Sequence, residues 1–258
     1  MEKYFIKNRK GQNVCVVLEK AEDQKGLAFV MHGLSGNKDQ PHIATIAEAF
    51  KQKGYTVVRF DTTNTFGESD GKYEDATITN YYEDLEDVVE ASTLEEWYQE
   101  PFVLVGSSLG GICVALYAIR HPGRVKGVAP ISTVVSGALS LQSKSHKAQN
   151  IEEWERTGWI EEESKSTPGR IKRLKWSHIV DRLTYDLLPD AHILTMPVLM
   201  VVGKQDDMTP LEHQQLLFEK LPVPKELHII KDAPHTFREQ KHFDEIKKIF
   251  IQWIDTLI

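Results

Sequence analysis

The sequence predicts an α/β protein built on a mostly parallel, doubly wound sheet. Short apolar runs rich in β-branched residues alternate along the chain with longer segments in which apolar residues recur at helical spacing. This alternation is typical of successive strand-helix-strand units, whose strands are covered by helices on both faces. The 258 residues, 41% of them hydrophobic and 27% charged, suffice for one large core and give no signature of disorder.

The predicted strands are short and mostly apolar along their whole length, as in strands that are buried on both faces. In chain order they cover residues 27–31, 55–60, 102–105, 125–129, 197–202 and 226–230.

Helices are predicted between these strands. Apolar residues recur at helical spacing from Ile43 to Phe50, and Gly54 suits the left-handed conformation just beyond a helix end. The same spacing recurs in residues 79–99, 109–121 and 243–257.

The segment 131–191 is too long for an ordinary connection between two strands. We therefore expect an inserted, mostly helical cap there, with residues 1–130 and 192–258 forming the core. The segment holds three of the five tryptophans, Trp154, Trp159 and Trp176, which either line a substrate pocket or form the core of the cap itself. The basic residues Arg170, Lys172, Arg173 and Lys175 either contact an acidic substrate or form a solvated helix face, and the second interpretation is preferred.

Charge and cysteine content exclude several classes of function. The formal net charge of -7 gives no positive field that would attract nucleic acid. The first residues lack the apolar stretch of a secretory leader, and no run approaches the roughly 20 apolar residues that span a bilayer. We therefore expect a cytoplasmic protein without stable membrane insertion. Cys15 and Cys113 lie in apolar runs, so we expect core residues and neither a disulfide nor a metal site.

A nucleophile motif lies between the predicted strand at 102–105 and the helix at 109–121. Gly106-Ser107-Ser108-Leu109-Gly110 matches Gly-x-Ser-x-Gly. This motif needs a strained strand-to-helix turn, in which glycines avoid clashes and the central serine is exposed at the helix start. Ser108 is therefore the candidate nucleophile.

A serine nucleophile requires a base within hydrogen-bond reach and an acid that orients that base. His235 follows the last predicted strand on a loop, and it is the candidate general base among ten histidines. Asp206 and Asp207 follow the preceding strand, and the residues alone do not decide which of the two is the acid. Asp232 is a weaker third candidate.

An oxyanion intermediate needs fixed hydrogen-bond donors. The backbone amide of Leu109, directly after Ser108, is one candidate. The glycine-rich turn that follows residues 27–31 supplies the other, and we assign it to the Leu34 amide. His32, in the same turn, is expected to shape the loop through a side-chain hydrogen bond.

These motifs resemble the α/β-hydrolase superfamily over nearly the full length of the chain. The resembling residues are His32-Gly33, Gly106-x-Ser108-x-Gly110-Gly111, Gly203-x-x-Asp206 with Pro210, and Pro234-His235. In that family the acid usually lies three residues after the glycine, so the resemblance favours Asp206 over Asp207. It also implies that residues 32–34 are the oxyanion segment.

Within the superfamily, residues 32–38 and 69–72 look like the bacterial cinnamoyl/feruloyl esterase and monoacylglycerol-lipase-like branch, whose members carry a cap after the sixth strand. The loop after Phe60 departs from that branch, because residues 61–69 are one residue longer and lack the first glycine of the usual Gly-x-Gly-x-Ser string.

Together, these features predict a carboxylic-ester hydrolase that works through an acyl-enzyme on a small-molecule ester, with hydroxycinnamoyl or short acyl groups as candidates. No cofactor or metal is expected. The alternatives are a thioesterase, amidase or peptidase with the same triad, or a binding protein that has lost turnover. A homodimer formed through the cap stays open.

Overall fold

The strands follow the predicted alternation. The computed structural model describes residues 1–164 and 169–257. In chain order its strands are β1 Glu2–Lys7, β2 Asn13–Glu19, β3 Gly26–Met31, β4 Tyr55–Phe60, β5 Phe102–Ser107, β6 Val125–Ile131, β7 Trp159–Glu163, β8 Ile171–Lys175, β9 Val198–Gly203 and β10 Lys225–Ile230. All six strands predicted from the sequence are present.

Eight of these strands form one sheet in the order β1-β2-β4-β3-β5-β6-β9-β10. Strand β2 runs antiparallel to both of its neighbours, β1 and β4. In the remaining part of this sheet order, from β4 through β3, β5, β6 and β9 to β10, every pairing is parallel. The predicted mostly parallel, doubly wound sheet is therefore confirmed. The two N-terminal strands were not predicted, because β1 mixes charged and apolar residues and lies exposed at the sheet edge.

Helices cover both faces of the sheet. In chain order they are α1 Pro41–Gln52, α2 Ile78–Ser92, α3 Leu109–Arg120, α4 Gly137–Ser140, α5 Lys144–Lys147, α6 Ile151–Thr157, α7 Ser177–Arg182, α8 Leu211–Lys220 and α9 Gln240–Asp255. Helix α2 is shorter than the predicted segment 79–99, and its N-terminus is capped by the Thr77 hydroxyl, which accepts from the Asn80 amide. None of the described helices is long and apolar enough to cross a lipid bilayer.

The core consists of two apolar layers, one on each face of the sheet. Alternate residues of a strand point to opposite faces, and in β3 Phe29 packs against α2 and α3 while Val30 packs against α1 and α9. Most charged residues of the amphipathic helices α1, α2 and α9 thereby remain at or near the surface. The exception is Asp84 in α2, which is buried and accepts from the Asn8 side chain and the Thr63 amide.

The predicted cap holds the short helices α4 to α7, and it also contains an antiparallel hairpin of β7 and β8. The hairpin was not predicted, because three glutamates in β7 and alternating basic residues in β8 resemble a solvated helix face. The interpretation of residues 170–175 as helical is therefore wrong for 171–175, which form β8. Residues 165–168 of the cap lie outside the described residues. The division of the chain into core and cap stays a prediction.

Candidate active site

Ser108 occupies the sharp turn between β5 and α3. Its backbone has φ 56° and ψ -112°, a conformation that non-glycine residues rarely adopt. The turn is tight: a Cβ at Gly106 would lie 2.2 Å from the Gly110 carbonyl oxygen, and one at Gly110 would lie 2.4 Å from the His32 carbonyl oxygen. Glycine is therefore required at both positions, and the motif has the geometry that the sequence predicted.

The structure brings Ser108, His235 and Asp206 together in one hydrogen-bonded chain. The Ser108 Oγ lies 2.9 Å from the His235 Nε2, and the His235 Nδ1 lies 2.7 Å from the Asp206 Oδ2. Because an ionised carboxylate only accepts, the Nδ1 of His235 donates to Asp206 and its Nε2 is free to accept the serine proton. The three side chains follow β5, β9 and β10, all at the carboxyl edge of the sheet.

The Asp206 carboxylate is fully buried and held by four donors. Its Oδ1 accepts from the amides of Met208 at 3.0 Å and Thr209 at 2.8 Å, and its Oδ2 lies near His235 and the Thr209 hydroxyl. Burial alone would raise the pKa of this carboxyl. The charge and hydrogen bond of His235, together with the hydrogen bonds from Thr209, outweigh burial and lower the pKa. The carboxylate is therefore ionised and fixed in orientation.

The two rival acids lie elsewhere. The Asp207 and Asp232 side chains are exposed, and among the described contacts neither carboxylate reaches His235. Geometry thus separates Asp206 from Asp207, which the residue pattern alone did not do.

Thr209 is a site residue that the sequence analysis missed. Its hydroxyl lies 2.8 Å from the Ser132 carbonyl oxygen, 2.9 Å from the Asp206 Oδ2 and 3.2 Å from the His235 Nδ1. It therefore ties the acid loop to the chain that leaves β6. A hydroxyl three residues after the candidate acid, just before a helix, was the available signal, since Asp, Ser and Thr side chains often bond nearby backbone there.

His32 is a structural residue of the neighbouring loop. It is fully buried, its Nδ1 donates to the Gly33 carbonyl oxygen at 2.8 Å, and its Nε2 accepts from the Thr62 amide at 3.1 Å. Burial lowers the pKa of His32, so the ring stays neutral in this tautomer. As predicted, His32 shapes the loop, and it also joins the loops that follow β3 and β4.

The two candidate oxyanion donors lie on the loop after β3 and at the start of α3. A Cβ at Gly33 would lie 2.8 Å from the Ser107 carbonyl oxygen and 3.6 Å from the Leu109 nitrogen, so the loop runs directly against the nucleophile turn. Within the described residues, neither the Leu34 nor the Leu109 amide donates to a protein acceptor. The Leu109 amide also lies at the positive end of the α3 dipole. The assignment of the two amides as oxyanion donors stays a prediction.

The loop that departs from the resembled branch is held by buried charges. Asp61 accepts from the amides of Lys38 at 2.7 Å and Glu68 at 2.8 Å, and the Lys38 ammonium lies 3.1 Å from Asp61 and 2.7 Å from Glu68. Asp61 and Glu68 also lie close to Cys15, as a set of metal ligands would. Lys38 pairs with both carboxylates and Lys3 pairs with Glu68 at 2.7 Å, so these ion pairs tie the loop to the chain around Lys38 and Lys3.

The cap contacts the loops of the site. The Val134 amide donates to the Ser108 carbonyl oxygen at 3.2 Å, and the Ser145 amide donates to that of Asp207 at 3.1 Å. From the hairpin, the Lys172 Nζ reaches the Ser35 Oγ at 3.3 Å.

The cap tryptophans differ in position. Trp154 is buried and packs edge-on against Trp176 at 5.7 Å between ring centroids, while Trp159 is half-buried beneath the Arg173 guanidinium. Trp154 belongs to the apolar layer that also contains α2 and α3, and Trp176 packs against that layer. Whether the tryptophans line a substrate pocket stays a prediction.

The chain belongs to the alpha/beta hydrolase fold family, whose family model matches residues 29–167. The resemblance to this superfamily is thus confirmed. Among curated proteins, the chain is 27% identical over 235 residues to the mitochondrial palmitoyl-protein thioesterase ABHD10 of Bos taurus, which covers 90% of this chain and 72% of that protein. It is 24% identical to an uncharacterized 31.7 kDa Escherichia coli protein from the traX-finO intergenic region, over 88% of this chain and 89% of that protein.

Solved structures show the same fold. Est1E from Butyrivibrio proteoclasticus, solved with ferulic acid bound, superposes with a TM-score of 0.82 at 21% identity, covering 98% of each chain. Mouse alpha/beta hydrolase domain-containing protein 10 gives a TM-score of 0.79 at 24% identity over 100% of both chains.

Proposed function

We propose that the protein is a serine hydrolase that cleaves carboxylic esters or thioesters through an acyl-enzyme. The observation that carries this proposal is the continuous hydrogen-bonded chain from Ser108 through His235 to Asp206. A serine hydroxyl is a weak nucleophile by itself, and a base at 2.9 Å that is held by a buried carboxylate is the arrangement that activates it.

The geometry supports a two-step mechanism. The His235 Nε2 takes the Ser108 proton while Oγ attacks the scissile carbonyl carbon, and the Leu34 and Leu109 amides stabilise the resulting oxyanion. The imidazolium formed on His235, stabilised by Asp206, then protonates the departing alcohol. A water molecule, activated by the same histidine, hydrolyses the acyl-enzyme and restores Ser108. No cofactor takes part in these steps.

Two comparisons bear on the leaving group and the acyl group. The ABHD10 relatives are named palmitoyl-protein thioesterases, which supports a thioester substrate. Est1E holds ferulic acid, which supports hydroxycinnamoyl esters. Thiolates leave more readily than alkoxides because their conjugate acids have lower pKa values, so a thioester demands less acid catalysis from His235.

A cytoplasmic location and a homodimer stay predictions.

The test is active-site labelling with a fluorophosphonate, followed by peptide mass spectrometry. We expect the label on Ser108, no label in Ser108→Ala, and slow labelling in His235→Ala. Ser107→Ala is the matched control, because this neighbouring serine is buried in β5 and should not affect labelling. A folded protein whose Ser108 is not labelled, and which turns over neither p-nitrophenyl butanoate, methyl ferulate nor a palmitoyl thioester, would overturn the proposal in favour of a binding protein.

A further inference from the structure

Arg182, the last residue of α7, is a buried arginine that uses only one of its three side-chain nitrogens as a hydrogen-bond donor among the described residues. The residue is 4% exposed. Its Nη1 donates to the His146 Nε2 at 2.9 Å and approaches the Ser140 Oγ at 3.4 Å. Its Nε is fully buried, and among the residues that the structure describes neither Nε nor Nη2 has a hydrogen-bond partner.

Among the described residues no carboxylate contacts Arg182 directly, although the charge of Asp181 is near enough to raise its pKa. Within 1–164 and 169–257 the guanidinium forms no ion pair, and the carboxylate of its neighbour Asp181 instead accepts from the amides of Ile78 and Thr79. Burial lowers the pKa of Arg182 to about 10, so the guanidinium remains charged at neutral pH. A buried, unpaired charge is costly, and buried charges in proteins are normally paired.

The surrounding histidines do not supply the missing negative charge. Burial, followed by the charge of Arg182, lowers the pKa of both His146 and His178 to about 3, so both rings are neutral. His146 donates from Nδ1 to the Ser143 hydroxyl at 2.9 Å, and His178 donates from Nδ1 to the Ala76 carbonyl oxygen at 2.8 Å. Both rings are thereby fixed in a neutral form, and the His146 ring contacts the guanidinium directly.

The unused donors have the geometry of an anion site. In a planar guanidinium the Nε–H and one Nη2–H point in the same direction, and this edge binds a carboxylate through two parallel hydrogen bonds. In Arg182 the opposite side, at Nη1, is the one engaged with His146. The edge that matches a carboxylate is therefore the one that has no partner among the described residues.

Two routes connect Arg182 to the candidate active site. Through the backbone, a Cβ at Gly137 would lie 2.0 Å from the Arg182 carbonyl oxygen, and the chain just before Gly137 bonds back to Ser108 through the Val134 amide. Through side chains, Arg182 bonds to His146, whose pKa is also lowered by the charge of His235. The Arg182 guanidinium thus bonds to a histidine that is near enough to the triad histidine for their charges to interact.

On the basis of the proposed function, we infer that Arg182 binds a carboxylate that the substrate carries away from its scissile carbonyl, so that the enzyme prefers acidic esters or thioesters to neutral ones. The carboxylate belongs either to the acyl group, as in a monoester of a dicarboxylic acid, or to the leaving group. Both forms present the same planar anion to the same edge of the guanidinium.

The test compares matched charged and neutral esters in the wild type, Arg182→Gln and Arg182→Lys. The pair p-nitrophenyl hemiadipate and p-nitrophenyl hexanoate examines the acyl side, and p-carboxyphenyl hexanoate with its methyl ester examines the leaving-group side. The readout is the ratio of kcat/KM for the acid to that for its neutral partner, because damage to folding or to the triad lowers both rates alike. Arg156→Gln is the control, since Arg156 is an exposed arginine of the same cap.

We expect one acidic ester to be preferred by the wild type and by Arg156→Gln. In Arg182→Gln that preference should fall roughly ten- to hundredfold, because a charge-assisted hydrogen bond is lost, and Arg182→Lys should recover only part of it. Equal treatment of acid and neutral ester by the wild type, or a ratio that Arg182→Gln does not change, would overturn the inference.

A second measurement needs no variant with full activity. Adipate should raise the melting temperature of the wild type more than hexanediol does, and this difference should vanish in Arg182→Gln. If Arg182→Gln fails to fold, absence of an adipate effect in the wild type is the refuting result. Fluorophosphonate labelling of Ser108 separates the two proposals: normal labelling and turnover of the hexanoate without acid preference refutes the carboxylate site alone, whereas loss of both refutes the hydrolase.

Discussion

Replacing Asp206 by asparagine should reverse the tautomer of His235. In the wild type, two backbone amides, those of Met208 and Thr209, donate to the Oδ1 of Asp206, and its Oδ2 faces the His235 Nδ1 at 2.7 Å. The asparagine oxygen must take the place that faces the two amides, because an amide NH₂ there would oppose two donors. The NH₂ group then points at Nδ1, which has to accept. The proton moves to Nε2, and His235 can no longer accept from Ser108.

The expected magnitude follows from the same geometry. A triad locked in the wrong tautomer loses about 10⁴-fold in kcat, or about 5.5 kcal/mol of transition-state stabilisation. The assay is kcat/KM for p-nitrophenyl butanoate, with circular dichroism and thermal melting as checks on the fold. Asp207→Asn is the matched control, since its exposed side chain should leave the rate unchanged. A folded Asp206→Asn enzyme within about tenfold of the wild type would refute the argument.

Three further predictions use other parts of the structure. Thr209→Val should lower kcat/KM about tenfold by removing one hydroxyl hydrogen bond from the acid, while Thr209→Ser should restore most of the rate; equal rates for both variants would contradict this role. Gly110→Ala should lower the free energy of unfolding in urea by at least about 2 kcal/mol, because its Cβ would lie 2.4 Å from a backbone oxygen, whereas Gly123→Ala, with nothing within 4 Å, should have little effect. Burial lowers the pKa of His42 to about 4 from 6.5, so unfolded chains bind more protons than folded ones between these values, and stability should fall as pH drops from 6.5 to 4. The loss attributable to His42 is about 1.4 kcal/mol per pH unit, and an unchanged pH slope in His42→Gln would contradict it.

The sequence predicted those parts of the fold that depend on local pattern. Buried parallel strands are continuous apolar runs, and the glycines around Ser108 are required by a short-range clash, so both are visible in the residues themselves. The N-terminal strands β1 and β2 and the hairpin of β7 and β8 were not predicted. Strands β1, β7 and β8 carry charges at many positions, whereas β2 is apolar along most of its length and was overlooked. Each of the charged strands is extended because it pairs with the strand next to it in the chain, β1 with β2 and β7 with β8.

The candidate site divides in the same way. His235 follows from its place after the last strand. The residues alone left Asp206 and Asp207 open, and only the family resemblance favoured Asp206, because one residue of register reverses the direction of the side chain. Thr209 acts through contacts with Ser132 and Asp206. Arg182 stands out because its Nε and Nη2 have no hydrogen-bond partner among the described residues. These contacts form only when segments far apart in sequence pack together, so a local sequence pattern does not predict them.

Because the predicted cap is one continuous segment of the chain, its side chains can change during evolution without changing the groups proposed for the reaction. The groups proposed for the reaction follow β3, β5, β9 and β10. The predicted cap lies between β6 and β9 and reaches their loops through backbone hydrogen bonds, such as that from Val134 to Ser108, and through side chains such as Lys172. Backbone contacts tolerate exchange of the side chains that make them. New substrates can therefore be acquired by altering cap side chains such as Arg182, while the machinery for acyl transfer is inherited intact.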